Sequence, residues 1–223
     1  MFGPSVGSIG TRDLIVIGID EAGRGPVVGN MFVVAVALRE EDIGKLESLG
    51  IRDSKKLTPN KRALLRGVVE RVALAYSIVE VSVESINEGN LNELTIKAMK
   101  EALANVLREI GKVDLVIADV VGNGKRQLEE LRELADRVVV EKGADSKYPA
   151  VSAASILAKE KREEHVRALR ALYGDFGSGY PSDPKTRKWL ALNLEAPIVR
   201  RKWKTVQRVA SKQSSKPSKG HLL

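Results

Sequence analysis

The sequence has no cysteine and no long apolar run, and both absences narrow the class of protein. Without thiols the chain forms neither disulfide bonds nor thiolate metal sites, so a cytoplasmic location is expected. No stretch approaches the roughly 20 consecutive apolar residues that cross a bilayer, and the first residues do not follow the basic-then-apolar order of a secretory signal. The sequence therefore predicts a globular protein without membrane contact, and its 223 residues suffice for one well-buried core.

Acidic residues are missing from the C-terminal end. The last one is Glu195, and eight lysines and arginines follow it. Subtracting these eight from the total of 37 leaves 29 basic residues against 29 acidic ones, so residues 1–195 are formally neutral and residues 196–223 carry the net charge of +8. A segment of one charge sign usually binds a polyanion. The alternative is a tail that only keeps the protein in solution.

The sequence also lacks the glycine motifs of nucleotide-binding proteins. Gly23 and Gly25 form a Gly-x-Gly pair, but Pro26 interrupts the motif and Val28 stands where the dinucleotide fingerprint needs glycine. No Gly-x-x-x-x-Gly-Lys-Ser/Thr sequence occurs. A nucleotide-binding loop is therefore not expected here.

Hydrophobic periodicity predicts a mixed α/β sheet flanked by helices. Two apolar strands joined by a short glycine loop indicate an antiparallel pair, and later strands alternate with helices, which favours right-handed crossovers. The predicted strands are residues 13–20, 30–38, 75–83, 114–119 and 137–141. One predicted helix starts at Pro59, after the cap Thr58. The other predicted helices are residues 91–110, 125–135, 149–172, 184–194 and 202–212. The expected units are a main domain over 1–173, a helical C-terminal subdomain over 174–210 and a basic, disordered tail over 211–223.

Four acidic residues lie at or beside the ends of predicted strands. Asp20 and Glu21 end the first strand, and Asp119 ends the fourth. Asp145 lies between the fifth strand and the long helix. Strand ends of an α/β sheet share a crevice in which ligands bind. Crowded carboxylates repel one another, a divalent cation relieves that repulsion, and an all-oxygen ligand set favours Mg²⁺ or Mn²⁺ over zinc.

Adjacent residues of a regular strand point to opposite faces, which limits how the first two acids could act together. Asp20 and Glu21 can face one ion only if the chain leaves strand geometry there, and the glycines that follow would permit this. In a purely structural interpretation, Asp119 is a turn residue and Asp145 a helix-entry residue. That interpretation explains two adjacent acids directly after an apolar strand less well.

Several longer motifs resemble ribonuclease HII of the archaeal type. They are GIDEAGRGPVVG, DSKKL, DLVIAD, ADSKYPAVSAASILAK, GSGYPSDP and IVRRKWKT, and they occur between about Leu14 and Thr205. The resemblance implies a ribonuclease H-like fold with a helical C-terminal extension. It implies an endoribonuclease that hydrolyses the RNA strand of RNA–DNA hybrids and cuts 5′ of ribonucleotides embedded in duplex DNA, leaving a 5′-phosphate and a 3′-hydroxyl.

The resemblance also implies roles for individual residues, carried over motif by motif. The implied catalytic acids, which would bind two Mg²⁺ or Mn²⁺ ions, are Asp20, Glu21, Asp119 and Asp145. The implied substrate-binding residues are Gly23, Arg24 and Gly25 at the RNA–DNA junction, Tyr180 on the sugar, and Ser54 and Lys55 on backbone phosphates. Simpler roles stay open, since Arg24 would also suit a surface ion pair, Lys55 a solvated face and Tyr180 a packing position.

Two other functions compete with this interpretation. A junction resolvase on the same fold would use strand-end acids as well, but it would not respond to a single 2′-hydroxyl. A noncatalytic hybrid-binding protein would bind equally with and without Mg²⁺, and the presence of all four acids argues against it. A monomer is expected. Sliding-clamp binding through the C-terminal motif of many archaeal relatives is not expected, because only Gln213 of that motif is present and no aromatic residue follows it.

Overall fold

The computed structural model describes residues 14–53 and 57–214, which are built around a five-stranded mixed sheet. The strands are β1 Ile15–Ala22, β2 Met31–Arg39, β3 Ala75–Val81, β4 Leu115–Asp119 and β5 Val138–Glu141. They lie in the order β3-β2-β1-β4-β5. Strand β2 is antiparallel to both β1 and β3, whereas β4 is parallel to both β1 and β5. The predicted mixed sheet with an antiparallel first half is confirmed.

Nine α-helices and one 3-10 helix, Ile51–Asp53, accompany the sheet in the described part of the chain, and the α-helices are numbered in chain order. They are α1 Glu40–Ser48, α2 Pro59–Val72, α3 Val83–Glu88, α4 Leu91–Ile110, α5 Lys125–Arg132, α6 Ala144–Lys147, α7 Pro149–Tyr173, α8 Pro184–Leu190 and α9 Lys204–Ser214. The predicted bounds of α4 are confirmed, and so is the cap of α2, where Thr58 Oγ1 accepts a hydrogen bond from the Lys61 N–H at 3.3 Å. The sequence did not predict α1, α3 and α6, which have nine, six and four residues, because such short helices give little periodic signal.

Apolar layers hold α4 and α7 to opposite faces of the sheet. Met99 of α4 packs in one layer with Ile17 and Ile19 of β1. On the other face the small residues at the start of α7 approach the strands closely. The closest approach is at Gly18, where an added Cβ would lie 2.1 Å from the backbone carbonyl of Ala150. The packing of α7 therefore depends on the absence of a side chain at residue 18.

Strand β1 continues further than predicted. Asp20 and Glu21 pair with Val34 and Val33 of β2, and the strand ends only at Ala22. The expectation that the chain leaves strand geometry at the two acids is wrong. The physical reason is the length of β2, which gives both acids regular ladder partners.

The C-terminal helices pack around a third apolar cluster. Phe176 and Trp189 meet edge to face, with 5.6 Å between ring centroids. Val27, from the loop between β1 and β2, is fully buried in the same cluster. The residues after the long helix are thus anchored on the loop that follows β1.

Helix α9 continues to Ser214, beyond residue 210, the predicted end of the C-terminal subdomain. The remainder of the predicted tail, residues 215–223, lies outside the described residues, as do residues 1–13 and 54–56. None of the helices described is both long enough and apolar enough to cross a membrane.

Candidate active site

The parallel pairing of β1 and β4 brings two predicted acids together. Ile19 pairs with Ala118, so the residues that follow them, Asp20 and Asp119, lie side by side at the carboxyl ends of adjacent strands. This edge of a parallel sheet is where α/β proteins commonly bind ligands. The strand register therefore forms the first half of the candidate site.

Helix α6 adds the fourth acid. The backbone N–H of Ala144 donates a hydrogen bond to Asp119 Oδ1 at 3.0 Å, which holds the first residue of α6 at the end of β4. Asp145 follows directly in α6, rather than in a loop, and only 5% of it is exposed. The charges of Asp119 and Asp145 both act on Asp20, so the structure places these three acids in one electrostatic cluster.

Asp20 and Glu21 lie on opposite faces of β1. The partner of Asp20, Val34, belongs to the apolar layer that α7 covers, and the partner of Glu21, Val33, belongs to the layer that α4 covers. Asp20 lies beside Ser155 of α7, and this hydroxyl lowers the pKa of the acid, although it makes no hydrogen bond within the usual geometric limits to any of the described residues. The two neighbouring acids therefore approach the sheet edge from different sides.

Burial and repulsion favour the neutral forms of both acids. Burial, which has the largest effect, and the charges of Asp119 and Asp145 raise the pKa of Asp20 from 3.8 to about 7. Burial, and then the charge of Asp20, raise the pKa of Glu21 from 4.5 to about 8, while Arg24 opposes this rise. The Glu21 Oε2 atom is buried and has no hydrogen-bond partner among the described residues. The site thus holds more acid than its own cationic neighbours neutralise.

The donor chemistry of this cluster fits a hard divalent cation. All four predicted ligands are carboxylates, and Glu21 Oε2 lacks the partner that a cation would supply. Within residues 14–53 and 57–214, no three His, Cys, Asp or Glu side chains already surround one point at which an ion could sit. Because carboxylates without an ion repel one another, we expect their side chains to rotate towards a common point only when a cation binds.

The loop between β1 and β2 borders the acids and contacts Tyr180. Gly23 has a φ of +97°, in the left-handed region that favours glycine. A Cβ added at the exposed Gly25 would lie 3.2 Å from Tyr180 Cε1, so the loop and the ring are in contact. The Arg162 guanidinium lies 4.9 Å from the centroid of the Tyr180 ring and donates to the Ser178 carbonyl at 2.9 Å. Arg162 therefore fixes both the ring and the backbone beside it.

An open cleft of about 310 Å³ runs from Glu21, the one predicted acid in its lining, to this ring. Glu21, Gly23, Lys159, Arg162 and Tyr180 are among its lining residues. A larger groove of about 500 Å³ beside α4 and α5 is lined by none of the predicted site residues. The smaller cleft is the candidate site because it combines an acid, basic side chains and an exposed aromatic ring. An acid can bind a catalytic metal ion, and basic and aromatic side chains bind the backbone and bases of nucleic acids.

The side chain of Arg24 is engaged within the protein. Its Nη1 donates to Thr95 Oγ1 at 2.5 Å, its Nη2 donates to Asn92 Oδ1 at 2.6 Å, and its Nε lies 3.7 Å from Glu21 Oε1. In this conformation the guanidinium binds α4 and offsets the charge of Glu21. A substrate contact by Arg24 would therefore come from its backbone.

Two predicted substrate-binding residues, Ser54 and Lys55, lie outside the described residues, so their contacts with phosphates stay predictions. Sequence reasoning also missed residues that border the site. Ser155, Lys159 and Arg162 recur at i, i+4 and i+7 of α7 and so share one helix face. That spacing of polar residues on an otherwise buried helix is the signal that could have found them.

Comparisons with known proteins give consistent results. A family model described as ribonuclease HII matches residues 17–206. The ribonuclease HII of Pyrococcus furiosus is 44% identical over 209 residues, which cover 90% of this chain and 93% of the relative. The solved ribonuclease H2 of Pyrococcus horikoshii OT3 is 34% identical and superimposes with a TM-score of 0.83, covering 91% of this chain and 100% of that one. A ribonuclease HII of Archaeoglobus fulgidus, solved as a complex with PCNA, is 37% identical with a TM-score of 0.74 and coverages of 86% and 96%.

Proposed function

The chain belongs to the ribonuclease HII family and is therefore a nuclease that acts on RNA–DNA hybrids, and we propose that it also cuts 5′ of single ribonucleotides embedded in duplex DNA. In this proposal the products carry a 5′-phosphate and a 3′-hydroxyl. The observation that carries the proposal is the cleft in which the strand-end carboxylate of Glu21 lies beside a glycine loop in contact with an exposed tyrosine.

The four acids are the proposed holders of two divalent cations. When bound, Mg²⁺ or Mn²⁺ ions would activate a water molecule and offset the negative charge on the leaving 3′-oxygen. Asp20 is the proposed shared ligand, which is supported by its position next to Asp119 and by the repulsion it receives from both Asp119 and Asp145. Glu21 approaches from the other face of β1, and its unpartnered Oε2 supports a role as a ligand.

The glycine loop and Tyr180 are the proposed readers of the ribose. A protein distinguishes RNA from DNA at one nucleotide through the 2′-hydroxyl, which is both a donor and an acceptor. The exposed backbone at Gly25 allows close approach, and the Tyr180 ring beside it would stack on the sugar. The geometry favours the backbone of residues 23–25, rather than the Arg24 side chain, for this contact.

Contacts with the remaining duplex are proposed for basic groups. Ser54 and Lys55 would bind backbone phosphates, and the basic residues after Glu195, apart from the buried Arg200, would add a nonspecific electrostatic contact. The Archaeoglobus fulgidus relative was solved with PCNA. A comparable complex of this chain would need a different contact, because no aromatic residue follows Gln213.

Cleavage of a labelled RNA–DNA hybrid tests the proposed site. The wild-type protein with Mg²⁺ or Mn²⁺ should cut the RNA strand and leave 5′-phosphate ends, and chelation should stop the reaction. Asp119→Asn should lower the rate by at least about 100-fold, because the amide removes one ligand charge. Asp136→Asn is the matched control, since Asp136 is exposed and precedes β5. An Asp119→Asn variant as active as that control would overturn the proposed site.

A further inference from the structure

Residues 198–203, called here the C-terminal strap, run alongside the glycine loop. Val199 and Val28 form an isolated antiparallel bridge. The backbone N–H of Arg200 donates to the Val27 carbonyl at 2.9 Å, and the Gly29 N–H donates to the carbonyl of Ile198 at 2.9 Å. The loop that borders the acids is thus paired with a segment that lies far away in the sequence.

Two side chains of the strap bind carbonyl groups of the same loop. Arg200 Nε donates to the Gly29 carbonyl at 2.7 Å, and Arg200 Nη1 donates to the Arg24 carbonyl at 3.3 Å. Trp203 Nε1 donates to the Gly25 carbonyl at 3.2 Å. The Arg200 guanidinium also lies 5.1 Å from the centre of the Trp203 ring. With the Val27 carbonyl, which the Arg200 backbone binds, four loop carbonyls are therefore directed towards the strap.

Arg200 is an unusual residue to bury for packing alone. Its side chain is fully buried, its Nη2 has no hydrogen-bond partner, and no carboxylate pairs with it in the part of the chain that the structure describes. Burial, the largest effect, and the nearby charge of Arg162 lower its pKa. A buried charge without a counter-ion is unfavourable, so a residue with a purely packing role would be better replaced by an apolar one.

The bound carbonyls determine which loop amides remain for a ligand. In a planar trans peptide the C=O and the following N–H point in opposite directions. With the Arg24 carbonyl directed at Arg200, the Gly25 N–H points away from the strap, and Gly25 is exposed beside Tyr180. The Gly25 carbonyl faces Trp203, and the next residue, Pro26, has no N–H to orient.

We propose that Arg200 and Trp203 are positioning residues, which hold the glycine loop so that the Gly25 N–H is presented to the 2′-hydroxyl of the ribonucleotide. This inference rests on the proposed function of the loop as a ribose reader. Neither residue touches the substrate in this arrangement. Their effect is on the discrimination between RNA and DNA, and it is separate from the charge that the strap contributes to binding.

Paired binding measurements test the positioning role. The Asp119→Asn protein is titrated in Mg²⁺ with two labelled duplexes of one sequence, one all DNA and one with a single ribonucleotide, and the ratio of the two affinities measures the preference for the 2′-hydroxyl. Trp203→Phe keeps the aromatic ring but removes the bond to Gly25, and should reduce the ratio roughly fivefold. Arg200→Lys keeps the charge but loses the planar fork that spans two carbonyls, and should reduce the ratio at least about tenfold.

Arg201→Ala is the matched control, because Arg201 is exposed and, among the residues that the structure describes, its side chain pairs only with Glu195, at 3.6 Å. It should weaken binding of both duplexes equally and leave the ratio unchanged. A preference that survives both Trp203→Phe and Arg200→Lys would overturn the positioning role alone, as would an equal loss of affinity for both duplexes. A parent protein without any preference would overturn the proposed ribose reading, and this inference with it.

Discussion

Asp20→Asn should make the metal-free protein more stable at pH 8, although it removes a proposed metal ligand. In the folded state the pKa of Asp20 is raised from 3.8 to about 7, mainly by burial. The stabilisation linked to its protonation is complete below about pH 3.8 and is lost as the pH rises through about 7. Above that pH the folded protein contains a buried, ionised carboxylate whose charge is only partly compensated.

The size of this effect follows from the difference between the two pKa values. A rise from 3.8 to about 7 corresponds to roughly 4 kcal/mol of free energy against the ionised folded state. The asparagine amide removes the charge but still needs buried hydrogen bonds, so a net gain of about 2 kcal/mol is expected. For a chain of this size that gain corresponds to about 4–8 °C in Tm. At pH 5, where wild-type Asp20 already binds a proton, the gain should be much smaller.

Thermal unfolding followed by circular dichroism measures this effect at pH 5 and pH 8. One set of samples contains a chelator, and a second set contains Mg²⁺ or Mn²⁺ instead. A divalent cation should raise the Tm of the wild type at pH 8 and leave that of Asp20→Asn nearly unchanged, because a ligand that binds only the folded state stabilises it. Asp183→Asn is a control of opposite sign. Backbone hydrogen bonds from Ser178 and Lys185 lower the pKa of Asp183 to about 2, so its amide variant should lose stability at pH 8. If Asp20→Asn were less stable than the wild type in chelator at pH 8, the electrostatic reasoning would be refuted.

Three further outcomes are expected. Gly18→Ala should destabilise the protein by about 3 kcal/mol or more, because the new Cβ would lie 2.1 Å from the Ala150 backbone. A Tm within 2 °C of the wild type would contradict this packing, since a loss of only about 1 kcal/mol already causes a shift on that order. Tyr180→Ala should lower cleavage at a single ribonucleotide by roughly 10- to 100-fold through loss of stacking, while stabilisation by Mg²⁺ in a melt stays intact; equal cleavage by both proteins would remove Tyr180 from the site. Removal of residues 211–223, which contain three lysines, should weaken duplex binding and flatten its dependence on salt; an unchanged slope of log Kd against log salt would show that these residues contact no phosphate.

Features with a local physical cause were predictable from the sequence. The apolar spacing along α4 repeats over five turns, and a serine- or threonine-type cap before proline defines the start of α2. The sheet followed from apolar segments separated by glycine or by amphipathic helices. Strand-end positions also drew attention to the four acids, because their placement depends on the order of strands and not on fine geometry.

Features that depend on distant residues were not predictable. Strand β1 includes Glu21 because β2 is long enough to pair with it, and neither strand alone carries that information. The Arg24 side chain finds its partners on α4, and the motif around Arg24 gives no sign of them. Arg200 lies in a segment rich in lysine and arginine, and that composition predicts an exposed side chain. Contact with the glycine loop instead buries Arg200 completely.

Cleavage of duplex DNA that contains one ribonucleotide tests the central proposal most directly. The duplex, labelled at both ends of the modified strand, is incubated with the wild type or Asp119→Asn in Mg²⁺ or Mn²⁺, next to an all-DNA duplex of the same sequence. We expect one cut, 5′ of the ribonucleotide, by the wild type alone, and no cut in the all-DNA duplex. An uncut ribonucleotide duplex, from a protein that still degrades long hybrids, would contradict the assignment of Gly23–Gly25 and Tyr180 as readers of the 2′-hydroxyl.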